Sequence, residues 1–142
     1  MISAVVTREV IEFFLRLAPL LDTDTTIEDQ IIELFVSGIR ECGTNPVVTA
    51  LKEFEAESVS ISLFDTEHSN YQLLLSALAM RLMAESFPKA GATQAAELIT
   101  RITATLLLSP SNVLRTETDD EARKFAVTYF IPILDAARTV TE

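Results

Sequence analysis

The sequence predicts an all-α chain on three observations. Glycine occurs only three times in 142 residues, apolar residues recur at three- and four-residue spacing, and no stretch alternates apolar and polar side chains over a strand's length between turn signals. The segmentation gives six helices in one domain spanning residues 1–142, a six-helix bundle.

The first helix is expected over about 2–21, with Val6, Val10, Phe13, Phe14 and Leu17 on one face. It ends in the polar run Asp22 to Thr26. Thr25 with Glu28 reads as a capping box that opens a second helix, with Ile27, Ile31, Leu34, Phe35 and Ile39 as its buried stripe and Gly43 after Cys42 as its stop. Asn45 and Pro46 form a cap and first-turn pair, so a short third helix is expected over about 46–56. The stretch from Glu57 to Ser69 has weak periodicity and is expected to be an irregular connection.

Ser69 or Asn70 caps a fourth helix reaching Phe87, apolar nearly all round and so expected to be central, with Pro88 and Gly91 breaking it. A fifth helix over about 93–108 stops at Ser109-Pro110-Ser111-Asn112, because proline disfavours helical conformation in the residue before it. A second capping box, Thr118 with Glu121, opens the sixth helix, which runs to about residue 139 and carries Pro132 inside it, where a kink is expected.

Charged residues interrupt every apolar run before the ~20 residues a membrane span needs, and Arg8, Glu9 and Glu12 break the first apolar stretch where a secretory leader would need continuity. The single cysteine, Cys42, offers no intramolecular disulfide. These features predict a cytoplasmic protein. A formal net charge of −10 repels phosphate backbones, so direct DNA binding by these residues is not expected.

The inventory for chemistry is thin: one histidine, one cysteine and no tryptophan. His68 stands beside Glu67 in a polar stretch and reads as an exposed loop residue, and Cys42 at a helix end lacks the electropositive setting that activates a thiol. The acidic group Glu53, Glu55, Glu57, Asp65 and Glu67 has neither calcium-loop nor Glu-x-x-His spacing and reads as a solvated face. There is no Gly-rich phosphate loop and no nucleophile elbow. The expectation is no catalytic residue, no metal, no cofactor and no enzyme activity.

The stretch ELITRITATLLLSPSNVLRTETDDEARKFAVTYFIPILDAA, from Glu97 to Ala137, resembles the end of a TetR-type transcriptional regulator. Its features are an Arg-containing apolar helix ending in LLLSP, an acidic start, and an aromatic-rich helix carrying Pro132. AVVTREVIEFFLRLAPLL resembles that family's first helix after the DNA-binding head, and NPVV resembles the opening of its sixth helix. The helix-turn-helix head itself has no counterpart in these 142 residues.

The resemblance implies the ligand-binding and dimerisation domain of a regulator, of repressor type, that reaches DNA only through such a head. It implies a homodimer in which the last two long helices of each partner build an intersubunit four-helix bundle, with Ile99, Ile102, Leu106, Phe125, Tyr129 and Ile133 as interface candidates. An effector would lie among the second, third and fourth helices. Phe14, Phe35, Ile39, Phe54, Tyr71, Leu74 and Leu78 are its candidate lining, which points to a small apolar or aromatic molecule. The alternative is a helical dimerisation or interaction module with a filled core and no ligand.

Overall fold

The computed structural model describes residues 25–44 and 69–141. The expected first and third helices and the connection over 57–68 lie outside those residues. With them go Phe14, Phe54, His68 and the acidic group from Glu53 to Glu67. Among the described residues the chain is helical and has no strand: α1 (Ile27–Thr44), α2 (Ser69–Ala84), α3 (Lys89–Leu108), and a last helix formed by α4 (Asp119–Phe125), a π-helical segment (Ala126–Phe130) and α5 (Ile131–Arg138). No described helix is long and apolar enough to cross a membrane.

α1 begins one residue later than its sequence suggests. Thr26, not Thr25, accepts the N–H of Asp29 at 3.2 Å, because Glu28 is drawn away to pair with Arg138 across the fold. The helix also runs through Gly43 to Thr44, whose hydroxyl donates to the Arg40 carbonyl at 3.0 Å. Its buried face carries Ile27, Ile31, Ile32, Phe35 and Val36, whereas Leu34 and Ile39 are half-buried. The inward stripe is therefore rotated from the expected one toward Ile32 and Val36.

α2 ends at Ala84, three residues before its expected stop, and the chain reverses through a Schellman turn. The Phe87 N–H reaches the Leu82 carbonyl at 3.2 Å and the Ser86 N–H reaches that of Met83 at 3.0 Å, with Ser86 in the left-handed region at φ 72°. Met80 and Met83 are exposed on α2, while Ala79 and Leu82 are buried. The helix thus has a clear inner and outer face and is not enclosed on every side.

α3 starts at Lys89 behind Pro88, whose extended backbone (φ −63°, ψ 149°) makes it the residue preceding the helix. Gly91 therefore lies within α3 and breaks nothing. It faces α5, where the two helices come into backbone contact. α2 and α3 form an antiparallel hairpin, α3 packs on α5, and α1 packs chiefly on α4 and also meets α3 and the π segment.

The last helix opens as expected. Thr118 accepts the Glu121 N–H at 3.1 Å while Glu121 accepts the Thr118 N–H at 3.2 Å, a reciprocal capping box. Before Pro132 the helix widens into π geometry, with the Ile131 N–H bonded to the Ala126 carbonyl five residues back. Proline lacks an N–H and its ring crowds the carbonyl four residues earlier, and the wider turn accommodates both defects inside a continuous helix.

The core is centred on three aromatic rings. Phe35 stacks on Phe125 (centroids 5.5 Å apart, 23° between planes) and meets Phe130 edge-on at 4.9 Å and 80°. Phe125 and Phe130 are edge-to-face at 5.7 Å and 85°. Such arrangements direct ring edges at neighbouring faces and add to the burial of the rings themselves. Leu82, Val36 and Leu134 close around them, each fully buried.

Candidate functional site

Of the residues expected to line an apolar effector site, Phe35, Ile39 and Leu78 have described side chains. Phe35 is a core residue held between Phe125 and Phe130. Leu78 is half-buried and packs on the core edge. Tyr71 and Leu74 belong to α2, but their side chains are outside the described residues, as are Phe14 and Phe54 altogether.

Ile39 borders a cleft of about 170 Å³ between the end of α1 and the segment that leads into α4. Its lining is mixed, with Ile39 beside the polar side chains of Arg40, Thr44, Thr116, Glu117, Thr118 and Asp119. Arg40 spans one wall and pairs with Asp119 through two contacts, Nε to Oδ1 at 3.2 Å and Nη2 to Oδ2 at 3.1 Å. Gly43 and Thr44 form the α1 side, and nothing lies within 4 Å of the place a Gly43 Cβ would occupy. Thr116 and Glu117 form the opposite wall.

Thr116 is only 7% exposed. Sequence reasoning did not single out this residue or the cleft. Two signals were legible, the Thr118 capping box that fixes the start of α4 and the glycine in the last turn of α1, but their approach is a tertiary event.

The interface candidates divide. Ile99, Leu106 and Phe125 are buried inside the chain, so the apolar stripes read as intersubunit surface there serve the intramolecular core. Ile102 and Ile133 are half-buried at its margin. Tyr129 is 49% exposed and its ring leans on Phe125 at 5.0 Å. Two apolar residues not singled out from the sequence are exposed on the same two helices, Leu98 at 49% and Val127 at 51%.

Ion pairs fasten α1 along the last helix in antiparallel order: Arg40 to Asp119, Glu33 to Arg123, and Glu28 to Arg138. Arg138 also pairs with Asp135 at 3.0 Å, and its guanidinium carbon stands 4.7 Å from the Phe87 ring centroid. Burial, the largest single effect, would raise the Glu28 carboxyl, but the hydrogen bond and charge of Arg138 together with a backbone hydrogen bond hold it below its ordinary range. Arg115 and the Thr118 backbone do the same for Glu121, against a smaller effect of desolvation. On α3, Arg101 pairs with Glu97 at 3.0 Å within one helix.

No group of three or more metal-ligating side chains occurs among the described residues. Neither a family model, nor a curated protein, nor a solved structure matches this chain.

Proposed function

We propose that the chain is the effector-sensing and dimerising domain of a TetR-type transcriptional regulator, working as a homodimer and acting on DNA only through a head outside these residues. The observation that carries this reading is the outer surface of the two long C-terminal helices. Leu98 on α3 and Val127 and Tyr129 on the last helix stay half exposed after the core has been filled. Apolar side chains left in water on long helices favour association with a like surface, and twofold symmetry is the commonest way to satisfy them.

In this reading the interface centres on Tyr129 and Leu98, with Ile102 and Ile133 at its inner margin. α1, fastened to the last helix by its ion pairs, relays the position of the sensing half to the dimer. The effector class is a small apolar or aromatic molecule, and the protein is placed in the cytoplasm.

The test is the solution mass by light scattering, alone and with Tyr129→Glu. A dimer that the substitution splits supports the reading. A monomeric parent protein overturns it, and Tyr129 is exposed enough for the variant to fold.

The second reading, a dimerising interaction module without a ligand, is favoured by one observation: Phe35, an expected pocket residue, is locked between two other rings in the core. A thermal-shift screen of apolar and aromatic compounds separates the two. Saturable stabilisation supports the sensor, and a dimer that no compound stabilises supports the module.

A further inference from the structure

We propose that Glu28 and Arg138 form a latch between two halves of the fold, and that its release lets α1 and α4 swing together about the π turn, away from α3 and α5. The latch concerns how the core opens and holds whether or not the chain dimerises.

The last helix is continuous, but different partners hold its two ends. α4 docks on α1, and two ion pairs fasten them, Arg40 to Asp119 and Glu33 to Arg123. α5 docks on α3, where it meets Gly91 at backbone distance, and α3 is in turn paired with α2 in the hairpin. The division between the two halves falls at Ala126–Phe130, the π turn.

That turn is also where the helix resists bending least. The Ile131 N–H reaches back five residues to Ala126, and Pro132 beside it has no N–H to give. Val127, Thr128, Tyr129 and Pro132 are exposed, so water can take up the carbonyls that a bend releases. On the inner side Phe130 meets Phe35 and Phe125 edge-on, and rings can slide on one another without breaking a hydrogen bond.

α1 is a single helix of 18 residues, long enough to pass the turn and reach the other half. There Glu28 pairs with Arg138 at the end of α5. Arg138 is itself held by Asp135 at 3.0 Å and stands 4.7 Å from the Phe87 ring centroid. Of the ion pairs described between α1 and the last helix, this one alone joins the two halves, so an α1 that moves with α4 must break it. The Glu28 side chain is 24% exposed and that of Arg138 40%, and a pair so open to water is weak enough to part thermally.

Ile27 and Ile31 lie at that end of α1 and are each 3% exposed with the latch closed. Release would bring water to them. In the sensor reading this seam would be the way in for an apolar molecule, a consequence that rests on that reading, whereas the latch does not.

The experiment places spin labels on the full chain, in a Cys42→Ser background, and reads distances by double electron–electron resonance. One pair, Asp29→Cys with Gln94→Cys, straddles the latch. The other, Gly43→Cys with Asp120→Cys, lies within the α1–α4 half, and all four positions are exposed. Glu28→Arg sets like charges face to face. The expected result is a longer-distance population in the first pair that grows about three- to fivefold, with the second pair unchanged. Pro132→Ala, added to Glu28→Arg, returns an N–H to the turn and should lessen that growth.

Identical first-pair distances in the parent and Glu28→Arg overturn the proposal. So does broadening of both pairs together, which shows loss of α1 structure and no swing. Growth that Pro132→Ala leaves unaltered also counts against it, because the bend is then not at the π turn.

Discussion

Gly91 meets Ala137 so closely that a Cβ on the glycine would stand 2.0 Å from the Ala137 carbonyl oxygen and 2.9 Å from its carbon. Both obstacles are backbone, so neither can rotate aside. The contact joins the first turn of α3 to the end of α5, with Ala92, Ala95 and Ala96 continuing the buried small-residue face of α3. Gly91→Ala should therefore lower unfolding free energy by at least about 3 kcal/mol, despite alanine's better helix propensity. Urea denaturation followed by circular dichroism measures it, and a neutral or stabilised variant would show that the helices do not cross at this distance.

Ser86 predicts a change of opposite sign. It holds φ 72° in the turn after α2, where a side chain costs energy that glycine does not incur. Ser86→Gly should raise stability by about 1 kcal/mol, visible as a higher melting temperature. A lower one would mean that the serine side chain contributes more than its backbone conformation costs.

Glu28 and Glu121 set an acid limit. Both carboxyls lie below the ordinary value of 4.5 in the fold, so the unfolded chain binds more protons than the folded one as acid is added. Their contribution is complete above that ordinary value and is lost as pH falls through the lower folded values. Denaturation midpoints measured at successive pH values should decline below about pH 4.5, and the decline should be shallower in Glu28→Gln and Glu121→Gln. Parallel curves for parent and variants would remove these two groups from the explanation.

Local signals in the sequence carried well where the deciding contacts are local. The end of α3 at Ser109-Pro110 and the reciprocal Thr118–Glu121 box both depend on residues within a few positions of one another. Thr25 and Thr26 show where that stops. Either can cap a helix, and the choice turns on Glu28, whose partner Arg138 comes from the far end of the chain. Gly91 reads locally as a breaker, and only the passing α5 backbone reveals it as a spacer.

The candidate sites follow the same division. An apolar period identifies a buried face without saying which neighbour buries it, so Ile99, Leu106 and Phe125 looked as suitable for a second subunit as for their own core. Ile39 reads from the sequence as a candidate pocket residue, but the other wall of the cleft it borders comes from Thr116, Glu117 and Asp119, more than seventy positions away. Their proximity is set by how α1 lies along the last helix.

The π turn before Pro132 gives that last helix one residue more than an α-helix of the same span would hold. In genetic terms its extra length equals what a one-codon insertion would add, absorbed without a loop. α4 keeps its docking on α1, and α5 keeps its own on α3, although the two halves are out of step by a single position. An alignment drawn through this helix at a constant period would match one half and misplace the other, and a gap placed within Ala126–Phe130 would bring both back into phase.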